Sequence, residues 1–316
     1  MTDGSDERRP PHARFERESP SLAELVCCLL NRRDARAVPQ GRAAPPPVST
    51  VFVDWYRDEF WDGDKERSRP YEQAGSFLKR LDGALAFLKR TFPDDFFEGR
   101  SVVEIGSGRG PDVLAVAKYK RAAHVVGVEI DVALASSSAR MLADHRVDNA
   151  EIVCADMADV PEIQGECADI VFSNAAFEHV ADLPRVLAET HRILKPGGAL
   201  FAAFSPVWRH YYGSHLGHEL PFPWTHLLFS ESTVRHSLEM LHGQRQEGPL
   251  YSGLNRMTVR DYRRVLAESA FHASGRMYQT SRSRVLSLPR RVPIVSEYYS
   301  GTWNMVAVRR DDALRD

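Results

Sequence analysis

Apolar residues first fall into a helical repeat at Leu22, Leu25, Val26, Leu29 and Leu30. Their i, i+3, i+4, i+7, i+8 spacing makes one stripe, and Ser21 with Glu24 precedes it in the S-x-x-E capping pattern. The stripe must be buried against the chain's own domain, at a dimer contact or on a partner. A second helical pattern runs from Tyr71 to Lys89 through Phe77, Leu78, Leu81, Leu85, Phe87 and Leu88. Beyond residue 100 the pattern changes to short apolar runs bounded by turn residues. These runs are Val102–Ile105, His124–Glu129, Glu151–Asp156, Ala168–Asn174 and Ala199–Ser205. Runs of this kind suit strands buried on both faces. Val113–Tyr119 and Leu183–Leu194 read as helices between them. Alternation of strand and helix predicts a parallel sheet covered on both sides. Ser230 then reads as the N-cap of a helix from Glu231 to about His242, ended by Gly243. Thr258–Ala270 reads as a further helix. The last two strands should fall within Ala273–Thr280 and Trp303–Val308, joined by residues 281–302.

The punctuation divides the chain. Residues 1–50 read as a mostly disordered tail with the short amphipathic helix and a linker containing Pro39, Pro45, Pro46 and Pro47. Residues 51–99 form a helical N-terminal cover rich in aromatic side chains near its start. Residues 100–205 are the core, and residues 206–255 an insertion with its helix. Residues 256–316 complete the sheet.

The stretch from Ser101 to Gly110, Ser-Val-Val-Glu-Ile-Gly-Ser-Gly-Arg-Gly, organises the rest. A strand passes into a turn of alternating glycines and then a helix start at Pro111 and Asp112. Glycine there serves a ligand that approaches the backbone closely, or a turn that needs positive φ. A dinucleotide fingerprint would place its third glycine at position 111, which is Pro111. Glu104, facing the turn, would repel a pyrophosphate and suits an ammonium group.

Here the sequence resembles the class I S-adenosylmethionine (SAM) dependent methyltransferases, small-molecule branch. Their first motif is two apolar residues, an acid, an apolar residue and G-x-G-x-G. The resemblance extends through Glu129 and Asp156, each an acid ending a strand. It continues through the Asn174-Ala-Ala-Phe-Glu-His-Val run and the Leu194-Lys-Pro-Gly-Gly198 turn. It implies an α/β, Rossmann-like doubly wound sheet with SAM as cofactor. Glu104, Gly106, Ser107, Gly108 and Gly110 would form the cofactor turn. Glu129 and Ile130 would hold the ribose side, Asp156 and Met157 the adenine, and Asn174 would also bind the cofactor. The segment before the first strand would fold over the pocket, making Tyr56, Trp61 and Tyr71 wall candidates.

Composition narrows the class. A net charge of −2 gives no basic face for nucleic acid. Cys27, Cys28, Cys154 and Cys167 fit no zinc spacing, and Cys154 and Cys167 read as small core hydrophobes. The longest apolar run, Leu25–Leu30, is far short of a membrane span, and the charged first residues do not read as a signal peptide. A reducing, cytoplasmic setting without nucleic-acid or membrane partners is expected, with a homodimer as one use of the N-terminal stripe.

The insertion carries the acceptor chemistry. Trp208, His210, Tyr211, Tyr212, His215, His218, Phe222, Trp224 and His226 crowd residues 206–229, interrupted by Pro206, Gly213, Gly217, Pro221 and Pro223. Such a loop at the carboxyl ends of parallel strands lies where ligands bind in these sheets. It reads as a lid that closes over the acceptor. Trp208, Tyr211 and His226 are its substrate candidates. An alcohol or phenol acceptor needs a base, and His179, His210, His215 and His218 are the candidates. The histidines also offer enough nitrogen for a divalent ion, but the loop does not fix ligand geometry, and no metal is expected. Methyltransferases acting on planar amide or exocyclic amine nitrogens often carry N-P-P-F/Y where Asn174-Ala-Ala-Phe177 stands, which favours a free small molecule. O-methylation of a sugar or secondary metabolite leads. The alternatives are N- or C-methylation, and a protein of the same fold that uses bound cofactor for non-methyl chemistry or partner binding. A dehydrogenase is disfavoured by Pro111 and Glu104.

Overall fold

The computed structural model describes residues 74–92, 94–216, 219–220, 222–243, 248, 250–251, 253–278, 296–299 and 301–309. The stripe of residues 22–30, the linker, Cys27, Cys28, Tyr56, Trp61, Tyr71 and His218 lie outside the described residues. Helix α1 (Ala74–Thr91) leads to β1 (Ser101–Ile105), α2 (Pro111–Leu114, continued as a π-helical turn over Ala115–Tyr119), β2 (His124–Glu129) and α3 (Val132–Asp144). Then come β3 (Ala150–Cys154), β4 (Ala168–Asn174), α4 (Leu183–Ile193) and β5 (Leu194–Phe204). Next are α5 (Thr225–Leu228), α6 (Glu231–His242), α7 (Val259–Glu268), β6 (Phe271–Tyr278), α8 (Ser296–Tyr299) and β7 (Thr302–Arg309).

The seven strands form one sheet in the order β3-β2-β1-β4-β5-β7-β6. The first five are parallel, and β7 runs antiparallel between β5 and β6. The expected hairpin of the last two strands is therefore present, with β6 at the sheet edge. Strand residues alternate between two apolar layers, as a period of two requires. Val103, Ile105, Val171, Leu200 and Trp303 face α4 and α7, whereas Val102, Val125, Phe172 and Phe201 face α1, α2 and α3. Strand order reverses between β1 and β4, and the carboxyl ends of these strands form the crevice where ligands bind in such sheets.

Several boundaries differ from the sequence reading. Helix α3 was not expected. Its N-cap Asp131 accepts hydrogen bonds from the amides of Ala133 and Leu134. Strand β5 begins at Leu194 because Leu194 pairs with Ala168, so the Lys-Pro-Gly-Gly segment is a bulge within the strand pairing. Cys154 is exposed at the end of β3 and is no core residue; Cys167 is half-buried. Among the described residues no helix is long and apolar enough to cross a membrane.

Between β5 and α7 the chain builds a small third core from Leu216, Leu220, Val234, Leu238 and Tyr251. Helix α6 matches its expected bounds: Ser230 accepts from the Thr233 amide, and Gly243 closes it at φ 66°. Arg209 and Glu297 pair at 2.5 Å, and the other Glu297 oxygen accepts from the Val259 amide. That ion pair fastens the segment to the start of α7.

Candidate active site

The turn after β1 is shaped by steric necessity. Gly106 has φ +72°, and a Cβ there would lie 2.5 Å from the Ala176 Cβ. Gly108, at φ +52°, faces open space. Gly106 and Ser107 both donate their amides to the Val128 carbonyl, which binds the turn to β2. The Glu129 carboxylate then closes it, accepting from the Gly108 amide at 2.7 Å and the Asp131 amide at 2.9 Å. Gly110 is the left-handed N-cap of α2, packed against Ser138 and Met141 of α3. Ser138 donates its hydroxyl to the Gly108 carbonyl, a support that the sequence reading missed because serine resembles a weak helix former.

Beneath the turn the polarity is acidic. Glu104, Ser107 and Asp112 are all buried, and Glu104 Oε2, Ser107 Oγ and Asp112 Oδ1 have no hydrogen-bond partner. Burial, then repulsion from Asp112 and Glu129, pushes the Glu104 carboxyl well above the usual range. Burial raises Asp112 to about 6, against the amide of Asn174, which donates to it at 3.2 Å. Buried polar atoms without partners are costly. Here three of them lie in or beside the glycine turn, where a ligand with N–H donors and positive charge would satisfy them.

The adenine-side candidates lie on the neighbouring loops. Ile130 is 66% exposed directly after Glu129. Asp156 is exposed and caps its own turn by accepting from the Ala158 amide, while Met157 beside it is buried. Along the carboxyl ends of β1 to β3 the chain thus places a buried acid, a carboxylate at the second strand end, and the exposed Ile130 beyond it.

The second group of candidates follows β4. His179 Nδ1 lies 2.7 Å from the Gly253 carbonyl, an acceptor, so Nδ1 donates there and Nε2 is the acceptor of the neutral ring. Its ring meets His215 edge-on, with centroids 5.6 Å apart. His215 sits at φ 62°, donates a ring N–H to the Pro206 carbonyl, and has Nε2 buried without a partner. His226 Nε2 donates to the Trp208 carbonyl at 2.7 Å and packs on the Trp208 ring. His210 Nδ1 accepts from the Tyr212 amide, and the ring lies tilted against Tyr211 with centroids 3.8 Å apart. Burial above all lowers His210 and His215 to about 4 and also lowers His226. These three imidazoles stay uncharged at neutral pH. The candidates thus meet in three pairs: His179 with His215, Trp208 with His226, and His210 with Tyr211. Among the described residues no three metal-ligating side chains come together, and His218 is outside them.

Sequence reasoning overlooked two residues here. Glu178 is buried, with Oε2 unpartnered, and burial lifts it to about 7. Asn255 donates to the carbonyls of Phe177 and Val180 and so holds the post-β4 loop. Asn255 gave no local signal, because its partners are distant in sequence.

Residues 103–202 match a methyltransferase domain family. A malonyl-[acyl-carrier protein] O-methyltransferase of Brevibacillus brevis is 32% identical over 186 residues, covering 56% of this chain and 61% of that protein. A ubiquinone biosynthesis O-methyltransferase of Mesorhizobium japonicum is 33% identical over 113 residues, covering 34% of this chain and 41% of that protein. The chain thus spans less than two thirds of the length of these relatives. A phosphoethanolamine N-methyltransferase of Haemonchus contortus, solved with SAM, shares the fold at TM-score 0.52 and 15% identity, covering 87% of this chain and 62% of that one. In its sheet order, its glycine turn and residues 103–202, the chain is similar to methyltransferase domains.

Proposed function

We propose that the protein transfers a methyl group from SAM to a hydroxyl of a small organic molecule, a sugar or a secondary metabolite. The observation that carries the cofactor part is the set of buried, unpartnered acidic oxygens beside a glycine turn closed by Glu129. Glu104 serves the cofactor's ammonium, Glu129 the ribose hydroxyls, and Ile130, Asp156 and Met157 the adenine. Bound SAM supplies an activated methyl group on a sulfonium.

The chain's own part is to orient the acceptor, exclude water and receive a proton. His179 suits the last role best. Its Nδ1–H is fixed on a backbone carbonyl, which leaves Nε2 as a defined acceptor. His210 and His215 are weaker bases because burial disfavours their charged forms. Trp208, Tyr211 and His226 shape the acceptor side. The names of two relatives given above specify transfer to oxygen, which supports the same atom here.

Two measurements test the proposal. Titration with S-adenosylhomocysteine should show binding that weakens at least tenfold in Glu129→Ala, since charge-assisted bonds contribute about 1.5–3 kcal/mol. Radiolabelled SAM offered with monosaccharides and phenols should give ether products. Methylation only of trans-aconitate or a malonyl thioester would move the acceptor to a carboxylate.

A further inference from the structure

We propose that Asp112 is a second carboxylate partner for the ammonium of the cofactor's amino-acid end, and that binding there expels a proton from the Glu104–Asp112 pair. The inference rests on the cofactor reading above and adds a residue that the glycine motif does not specify.

Asp112 lies in the first turn of α2 and is 8% exposed. One carboxyl oxygen is taken by the side-chain amide of Asn174, at the end of β4. That contact fixes the plane of the carboxyl and leaves Oδ1 buried without a partner. Glu104, at 1% exposure on β1, presents its Oε2 in the same condition, and its carboxyl accepts from the Val113 amide. Ser107 Oγ is a third buried atom without a partner.

The groups facing this space are Glu104 from β1, Glu129 from β2, Asn174 from β4 and Asp112 itself. The charged neighbours that act on Glu104 are both acids, Asp112 and Glu129, and the side-chain partner of Asp112 is the neutral Asn174. Two carboxyls buried without a cation cannot both stay ionised, so the pair retains a proton. An ammonium brings the missing positive charge and three N–H donors to acceptor oxygens that have none. Its positive charge stabilises the ionised pair and so offsets the burial and the mutual repulsion that hold the proton. The O–H bond of the protonated carboxyl breaks and its proton passes to solvent. The ammonium keeps all its own protons, so charge and atoms balance.

The test is isothermal titration of the full chain near pH 7 in buffers of different ionisation heat. S-adenosylhomocysteine and 5′-methylthioadenosine serve as probes, the second lacking the amino-acid end. S-adenosylhomocysteine should release about one proton per molecule bound, seen as buffer-dependent heat. Methylthioadenosine should bind with buffer-independent heat. Asp112→Asn should weaken S-adenosylhomocysteine at least tenfold, reduce its proton release and leave methylthioadenosine unchanged. Buffer-independent heat for S-adenosylhomocysteine in the wild type overturns the inference. So does an Asp112→Asn variant that loses both probes equally or neither. A wild type that binds neither probe rejects the cofactor reading itself, and the inference with it.

Discussion

Each imidazole near the candidate acceptor site is distinguished by which ring nitrogen is already engaged. His226 uses Nε2 on the Trp208 carbonyl and is a packing element of its loop. His210 uses Nδ1 and turns a buried Nε2 inward. Among the described candidates, His179 alone combines exposure with a fixed proton on Nδ1. His179→Gln should therefore lower turnover by about 10²–10⁴, the usual size of general-base catalysis, while S-adenosylhomocysteine affinity holds. His215→Gln should mainly raise the acceptor's KM. Steady-state kinetics beside a separate titration would resolve the two. Unchanged turnover in His179→Gln would point to an amine or an already acidic hydroxyl, for which positioning suffices. The sequence marked these histidines as candidates and could not rank them. The carbonyl that fixes His179 belongs to Gly253, 74 residues away. Glu178 went unmarked and Asp112 was read only as part of a helix start, because burial, which no local pattern states, makes them chemically unusual.

Elements were legible where both of their ends carried chemical punctuation. Helix α6 was read at its true bounds because Ser230 opens it and Gly243 closes it. Helix α3 was missed although Asp131 is a good cap, since its core face includes Ser138, and a serine breaks the apolar stripe. The parallel strands were visible as apolar runs, but the start of β5 depends on a pairing with Ala168 that periodicity does not encode. The cap of α6 also supports the third core, because Val234 and Leu238 of that helix are buried in it. Ser230→Ala should cost about 1 kcal/mol, the typical loss of an N-cap, seen as a lower urea midpoint at unchanged slope.

For the whole molecule, buried titratable groups pull stability in opposite directions. Glu178 is raised from 4.5 to about 7, so its contribution is complete below pH 4.5 and is lost as pH climbs through 7. His210 and His215 are lowered from 6.5 to about 4, so theirs is complete above pH 6.5 and is lost as pH falls through 4. Glu178→Gln isolates the first effect. Relative to wild type it should gain roughly 1–3 kcal/mol between pH 5 and pH 8, read as a rising difference in Tm. No such rise would mean that Glu178 gains a partner or solvent on ionising. The order of assembly has another consequence. Strand β7 lies between β5 and β6, and Arg309 at its end holds the Leu194 carbonyl and Glu166. A ribosome that has completed β5 must still make about a hundred residues before β7 exists, which takes roughly 5–20 s at ~5–20 residues per second. For that time the nascent sheet presents the outer edge of β5, from Ala199 to Phe204, as an unpaired apolar template. The yield of this protein during synthesis therefore depends on how that one edge is shielded until its last strand arrives.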